Sequence, residues 1–69
     1  MNAQTILERI RQKPFRPFAI ETIGGTWIEV EDEASIMMGT RDPRLIVVFS
    51  KAGSLYILEP KQISAIEAR

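Results

Sequence analysis

Two segments toward the C-terminal end, Leu45-Ile46-Val47-Val48-Phe49 and Leu55-Tyr56-Ile57-Leu58, carry an apolar or aromatic side chain at every position. Unbroken runs of β-branched and aromatic residues at this length read as strands, and such strands are ordinarily buried on both faces. That need for cover restricts the fold more than any other feature, because the chain has only 69 residues. A domain of this size buries only about 60% of the surface its unfolded chain exposes. Domains this small commonly add disulfides, a metal, unusually good packing or a partner subunit. Cys and His are both absent. Disulfides, structural zinc, a thiolate nucleophile and an imidazole base are therefore excluded together. The remaining expectation is self-association into a homo-oligomer, through the edges of these two strands, with residues 45–50 as the central strand.

The rest of the chain reads as one helix followed by short strands. Thr5-Ile6-Leu7-Glu8 has the form of a capping box, and Ile6, Leu7 and Ile10 share one face of a helix over residues 3–12. A helix so short is marginal in water and must dock that face. Pro14-Phe15-Arg16-Pro17-Phe18 ends it, since each proline fixes its own φ and disfavours the α region for the residue before it. Phe15 and Phe18 are expected to anchor this extended stretch between helix and sheet. From Phe18 the pattern has period two, Gly24-Gly25 supplies a tight turn, and Thr26-Trp27-Ile28-Glu29-Val30-Glu31 forms the next strand with Ile28 and Val30 inward. Ser35-Ile36-Met37-Met38 resumes the pairing after Asp32-Glu33-Ala34, and Ile63-Ser64-Ala65-Ile66-Glu67-Ala68 reads as the last strand. The expected fold is a single domain over residues 1–69, mainly β with one N-terminal helix. Its five-stranded, strongly bent antiparallel sheet over residues 18–68 curls into an Sm-like or SH3-like small barrel.

Charge separates locally although nine basic and nine acidic side chains cancel. Arg9, Arg11, Lys13 and Arg16 form a basic end, and Glu29, Glu31, Asp32 and Glu33 an acidic one. This polarity either favours head-to-tail contact between copies or offers a phosphate-binding surface. The opening Met1-Asn2-Ala3-Gln4-Thr5 lacks a basic region followed by a long apolar one, and the longest apolar run is far too short for a bilayer span of about 20 residues. A cytoplasmic location without membrane contact is expected.

No constellation suited to catalysis stands out, and the expectation is a chain that is not an enzyme and holds no cofactor. Glu29, Glu31 and Glu33 alternate as a carboxylate metal site would, but alternating glutamates are also what a strand with one wet face carries. Gly24-Gly25 lacks the helix and lysine of a phosphate-binding loop. Ser50, Lys51 and Ser54 lie in a turn without a partner to activate them. Trp27, on the face opposite Ile28, is a candidate protein contact together with Leu55, Tyr56 and Ile57.

The Phe18-Ala19-Ile20 strand, the glycine turn before Thr26-Trp27-Ile28 and the closing Pro60-Lys61-Gln62-Ile63-Ser64-Ala65-Ile66 resemble the Sm-like family, including the bacterial Hfq proteins. In that family the closing segment carries a Lys-His pair on the pore side of a ring, and Lys61-Gln62 stands in a similar place. The resemblance implies an RNA-binding ring, with Lys61 joining Arg9, Arg11, Lys13 and Arg16 as candidate nucleic-acid contacts. The Lys-Pro-Phe-Arg-Pro-Phe stretch also resembles short bacterial proteins that share a Pro-Phe-Arg-Pro-Phe signature, which implies no activity. The alternative function is a protein–protein adaptor or small regulatory subunit.

Overall fold

Asn2, not Thr5, starts the helix. The Asn2 Oδ1 accepts hydrogen bonds from the Thr5 backbone N–H at 2.9 Å and from its hydroxyl at 3.0 Å, satisfying one of the amide donors that a helix leaves unpaired at its start. Thr5 is thereby the third residue of α1 (Ala3–Arg11), so the expected Thr5–Glu8 capping box does not form. The structure, a computed structural model, describes residues 1–69. Within α1, Ile6 is fully buried, whereas Leu7 and Ile10 are half-buried. No helix is long and apolar enough to cross a membrane. Past the helix, Phe15 and Phe18 meet with ring centres 5.7 Å apart. Phe18 is wholly enclosed and Phe15 packs against the core, as expected of the two anchors.

Six strands follow, in two sheets. β1 (Phe18–Thr22) lies between β2 (Trp27–Val30) and β6 (Ile63–Ala68), and β4 (Ile46–Phe49) lies between β3 (Ile36–Met38) and β5 (Leu55–Leu58). Every pairing is antiparallel. In the first sheet Ile28, Ile20 and Ile66 form one inward row. In the second, Ile36, Val48 and Tyr56 form one such row and Met38, Ile46 and Leu58 another. These residues, with Ile6, Phe18, Val30 and Ile63, make a single apolar core.

The expected single five-stranded bent sheet, and the barrel it would close into, are not what the chain forms. The reason lies at Asp32. Its carbonyl accepts from the Ser35 N–H at 3.1 Å and its Oδ1 from the Ser35 hydroxyl at 2.9 Å, winding Glu33–Ser35 into a 3₁₀ turn. That turn cuts what would be one long bent strand into β2 and β3, which then join different sheets. Across the divide, the Lys51 N–H donates to the Glu29 carbonyl at 3.1 Å.

The hairpins use their glycines selectively. Only Gly25 of the Gly24-Gly25 pair takes a positive φ, of 90°, and Gly53 does the same at 92° in the turn from β4 to β5. Those values lie where a Cβ is strained, which is why glycine serves there.

One further expectation fails. The strand over residues 45–50 is not buried on both faces. Ile46, Val48 and Ser50 are buried, but Phe49 is 56% exposed. The molecule measures only 18 Å in its shortest dimension. Packed sheets stand about 10 Å apart, so this thickness holds the two sheets and no third layer to cover the far side of β4.

Candidate functional site

Period two on β3, β4 and β5 puts one set of residues into the core and the other on the outer face. The outer set is Met37, Val47, Phe49, Leu55 and Ile57, together with Leu45 one step before β4. Register brings them side by side: Met37 lies opposite Val47, Val47 opposite Ile57, and Phe49 opposite Leu55. Leu55 and Ile57 are each 60% exposed and Met37 is 64% exposed. The six side chains named carry no charge and no hydrogen-bonding group. Apolar residues scattered singly over a surface are ordinary, whereas these lie side by side.

The outer face of the first sheet is built differently. Its central residue, Ala19, stands in register between Glu29 and Glu67 and is fully buried. Arg69 makes the cover. Its Nε donates to the two Glu29 carboxylate oxygens at 3.2 and 3.1 Å, and its Nη1 donates to Glu67. The same guanidinium lies 5.5 Å from the centre of the Trp27 ring. Hydrogen bonds to Glu67 first, and to Glu29 second, hold the Arg69 guanidinium above its ordinary pKa. An ionic lid therefore spans one sheet, while the other has none.

The candidate protein contacts divide accordingly. Leu55 and Ile57 lie on the open apolar face, but Tyr56 points to the core side of β5 and is half-buried. Trp27 belongs to the other sheet, 42% exposed and under Arg69. Sequence reasoning missed Met37, Val47 and Phe49 as members of the site. Their shared face depends on the pairing of β3 with β4, which no local pattern specifies.

The candidate nucleic-acid contacts also divide. Arg9 donates to the Gln12 side chain at 3.2 Å and stands 5.7 Å from the Phe18 ring centre. Lys13 pairs with Glu33, which joins the basic and acidic ends at one point within the molecule. Arg11 and Arg16 are exposed and carry no ion pair. Lys61 is elsewhere. It pairs with Glu59 at 3.6 Å and lines a surface cleft of about 620 Å³ with Asn2, Asp42, Arg44 and Glu59, beside the start of α1. Arg11 closes the other end of that helix, and nine residues of α-helix rise roughly 13 Å. Lys61 thus stands near the start of that helix and Arg11 at its end.

No three acidic side chains gather to hold a metal ion. Glu29 and Glu33 are each engaged by a basic side chain. The Ser50 hydroxyl is buried and accepts from the Ser54 N–H at 3.1 Å, while the Ser50 N–H donates to the Ser54 carbonyl at 2.8 Å. Ser50 thus closes a hairpin. Comparison of the chain with protein-family models, curated proteins and solved structures finds no match.

Proposed function

We propose that this chain is a small non-enzymatic binding module that engages protein, and that the outer face of β3, β4 and β5 is its contact surface. The observation that carries the reading is the row Met37–Val47–Ile57 flanked by the Phe49–Leu55 pair, exposed and without a charge among them. Desolvated apolar anchors are what protein interfaces place at their centres.

RNA binding, which the Sm-like resemblance implies, is the competing reading. It would rest on Arg9, Arg11 and Arg16, the candidate cations that no acidic side chain neutralises, and most of all on Arg11 and Arg16, which are exposed. Salt separates the two. A protein neutralising several phosphates loses affinity steeply between about 50 and 200 mM salt. We expect single-stranded RNA to show little binding at either salt concentration, and the Arg11→Glu/Arg16→Glu variant to behave like the unmodified chain. We also expect the immobilised chain to retain protein from its source cell, and to lose it in the Leu55→Lys/Ile57→Lys variant. Steep, salt-sensitive RNA binding abolished by reversing the two arginines would transfer the function to the basic end of α1.

A further inference from the structure

We propose that a second copy of this chain covers the outer face of β3, β4 and β5, sheet against sheet, about a two-fold axis passing close to Val47. This rests on the reading of that face as the protein-contact surface, and it names the occupant.

Chemistry, area and layering select that occupant. An isologous two-fold contact sets a patch against itself, so a charge near the axis would meet its like. Here Met37, Leu45, Val47, Phe49, Leu55 and Ile57 bring none. The same lack of charge denies a basic peptide, an acidic peptide or a phosphate backbone anything to recognise. The chain has a formal net charge of zero, so two copies do not repel at long range. From the fractional exposures, these side chains present on the order of 500 Å² of apolar surface, near the upper end of what a monomer ordinarily leaves open. Joined to a polar rim, that approaches the roughly 800 Å² per partner of a standard stable interface.

Layering makes the third argument. β4 is apolar at every position yet only one of its faces is covered, since the molecule is two sheets thick. A second copy docked on the open face supplies the missing layer, and Val47, in the middle of the row on the central strand, becomes the centre of the contact. A two-fold axis that buries the whole patch must pass near that centre, which brings Val47 close to its own symmetry mate. Val47 is half-buried in the monomer, whereas Leu55 and Ile57 are each 60% exposed. The latter are therefore the positions at which charge can be introduced without unfolding the chain.

The experiment uses light scattering on the intact chain from low to high micromolar concentration, with far-UV circular dichroism as the control for folding. The expected mass is twice 7.8 kDa, falling to the single value in Leu55→Lys/Ile57→Lys with the dichroism unchanged. Since the chain contains no cysteine, a single introduced thiol reports one position. Facing sheets stand about 10 Å apart, beyond the roughly 7 Å between Cα atoms that a disulfide tolerates, so a short bis-maleimide replaces direct oxidation. With it Val47→Cys is expected to form a covalent dimer, and Ser64→Cys, exposed on β6, to remain monomeric. A dimer that survives Leu55→Lys/Ile57→Lys, with no crosslink at Val47→Cys, places the contact on another surface and overturns the proposal. A wild-type monomer at every concentration also overturns it. In that case retention of a different protein, lost in the double variant, leaves the contact-surface reading intact. Retention of nothing removes both.

Discussion

The guanidinium of Arg69 lies over the indole of Trp27, with Cζ 5.5 Å from the ring centre, and from there it reaches the carboxylates of both Glu29 and Glu67. These carboxylates flank Ala19 in the strand register, and Ala19 is completely buried. The first sheet thus screens its outer face with its own charges. The second sheet has nothing comparable. This asymmetry, more than total hydrophobicity, leaves one side of the molecule apolar and open.

Removing the lid should expose what it covers. In Arg69→Ala we expect the Trp27 fluorescence maximum to move to longer wavelength while the far-UV dichroism stays the same. The pKa of Arg69 is raised, so its contribution is fully present below the ordinary arginine value and is lost only as pH rises through the still higher folded value. From this residue the emission should therefore show no dependence on pH between neutral and mildly alkaline solution. An unshifted spectrum in the variant would show that Arg69 does not shield the indole.

The start of α1 supplies a second prediction. Asn2→Ala removes the acceptor for the Thr5 N–H and is expected to cost about 1 kcal/mol, the usual loss for an N-cap. Glu8→Ala, which a capping box at Thr5 would make equally costly, should change stability by no more than about 0.5 kcal/mol, as for an ordinary surface site. Urea denaturation of both variants checks the order. A reversed order would return the cap to Thr5.

The two faces of β4 and β5 should respond in opposite ways. Ile46 is fully enclosed, and Ile46→Ala is expected to cost about 2 to 5 kcal/mol. A chain of this length has only roughly 4 to 10 kcal/mol in total, so much of the stability goes. Leu55→Ser, on the open face, should leave the unfolding midpoint of dilute protein nearly unchanged. A large loss at Leu55 in dilute solution would mean that the outer face is already covered within one subunit.

Much of the fold was legible locally. The helix over residues 3–12, the break at Pro14 and Pro17, the turn at Gly24-Gly25 and the inward placing of Ile28 and Val30 all rest on neighbouring residues, and the structure has them. The cap of the helix was misassigned because Asn2 and Thr5 both suit one, and only the hydrogen bonds decide between them. The division into two sheets was missed for a similar reason. Asp32-Glu33-Ala34 was readable as an interruption, but not as a turn tight enough to send β2 and β3 to separate partners.

By itself, the amino-acid order determined that this is a chain of one short helix and many short strands, without the side chains for thiol, imidazole or zinc chemistry. It also determined that β4 and β5 would be apolar throughout. Tertiary structure alone decided which of those apolar residues stay outside. Alternation places every second side chain on the far face of a sheet, and whether that face is covered depends on layers that distant parts of the chain do or do not provide. Arg69 provides one over Ala19, and no residue provides one over Val47, Leu55 and Ile57.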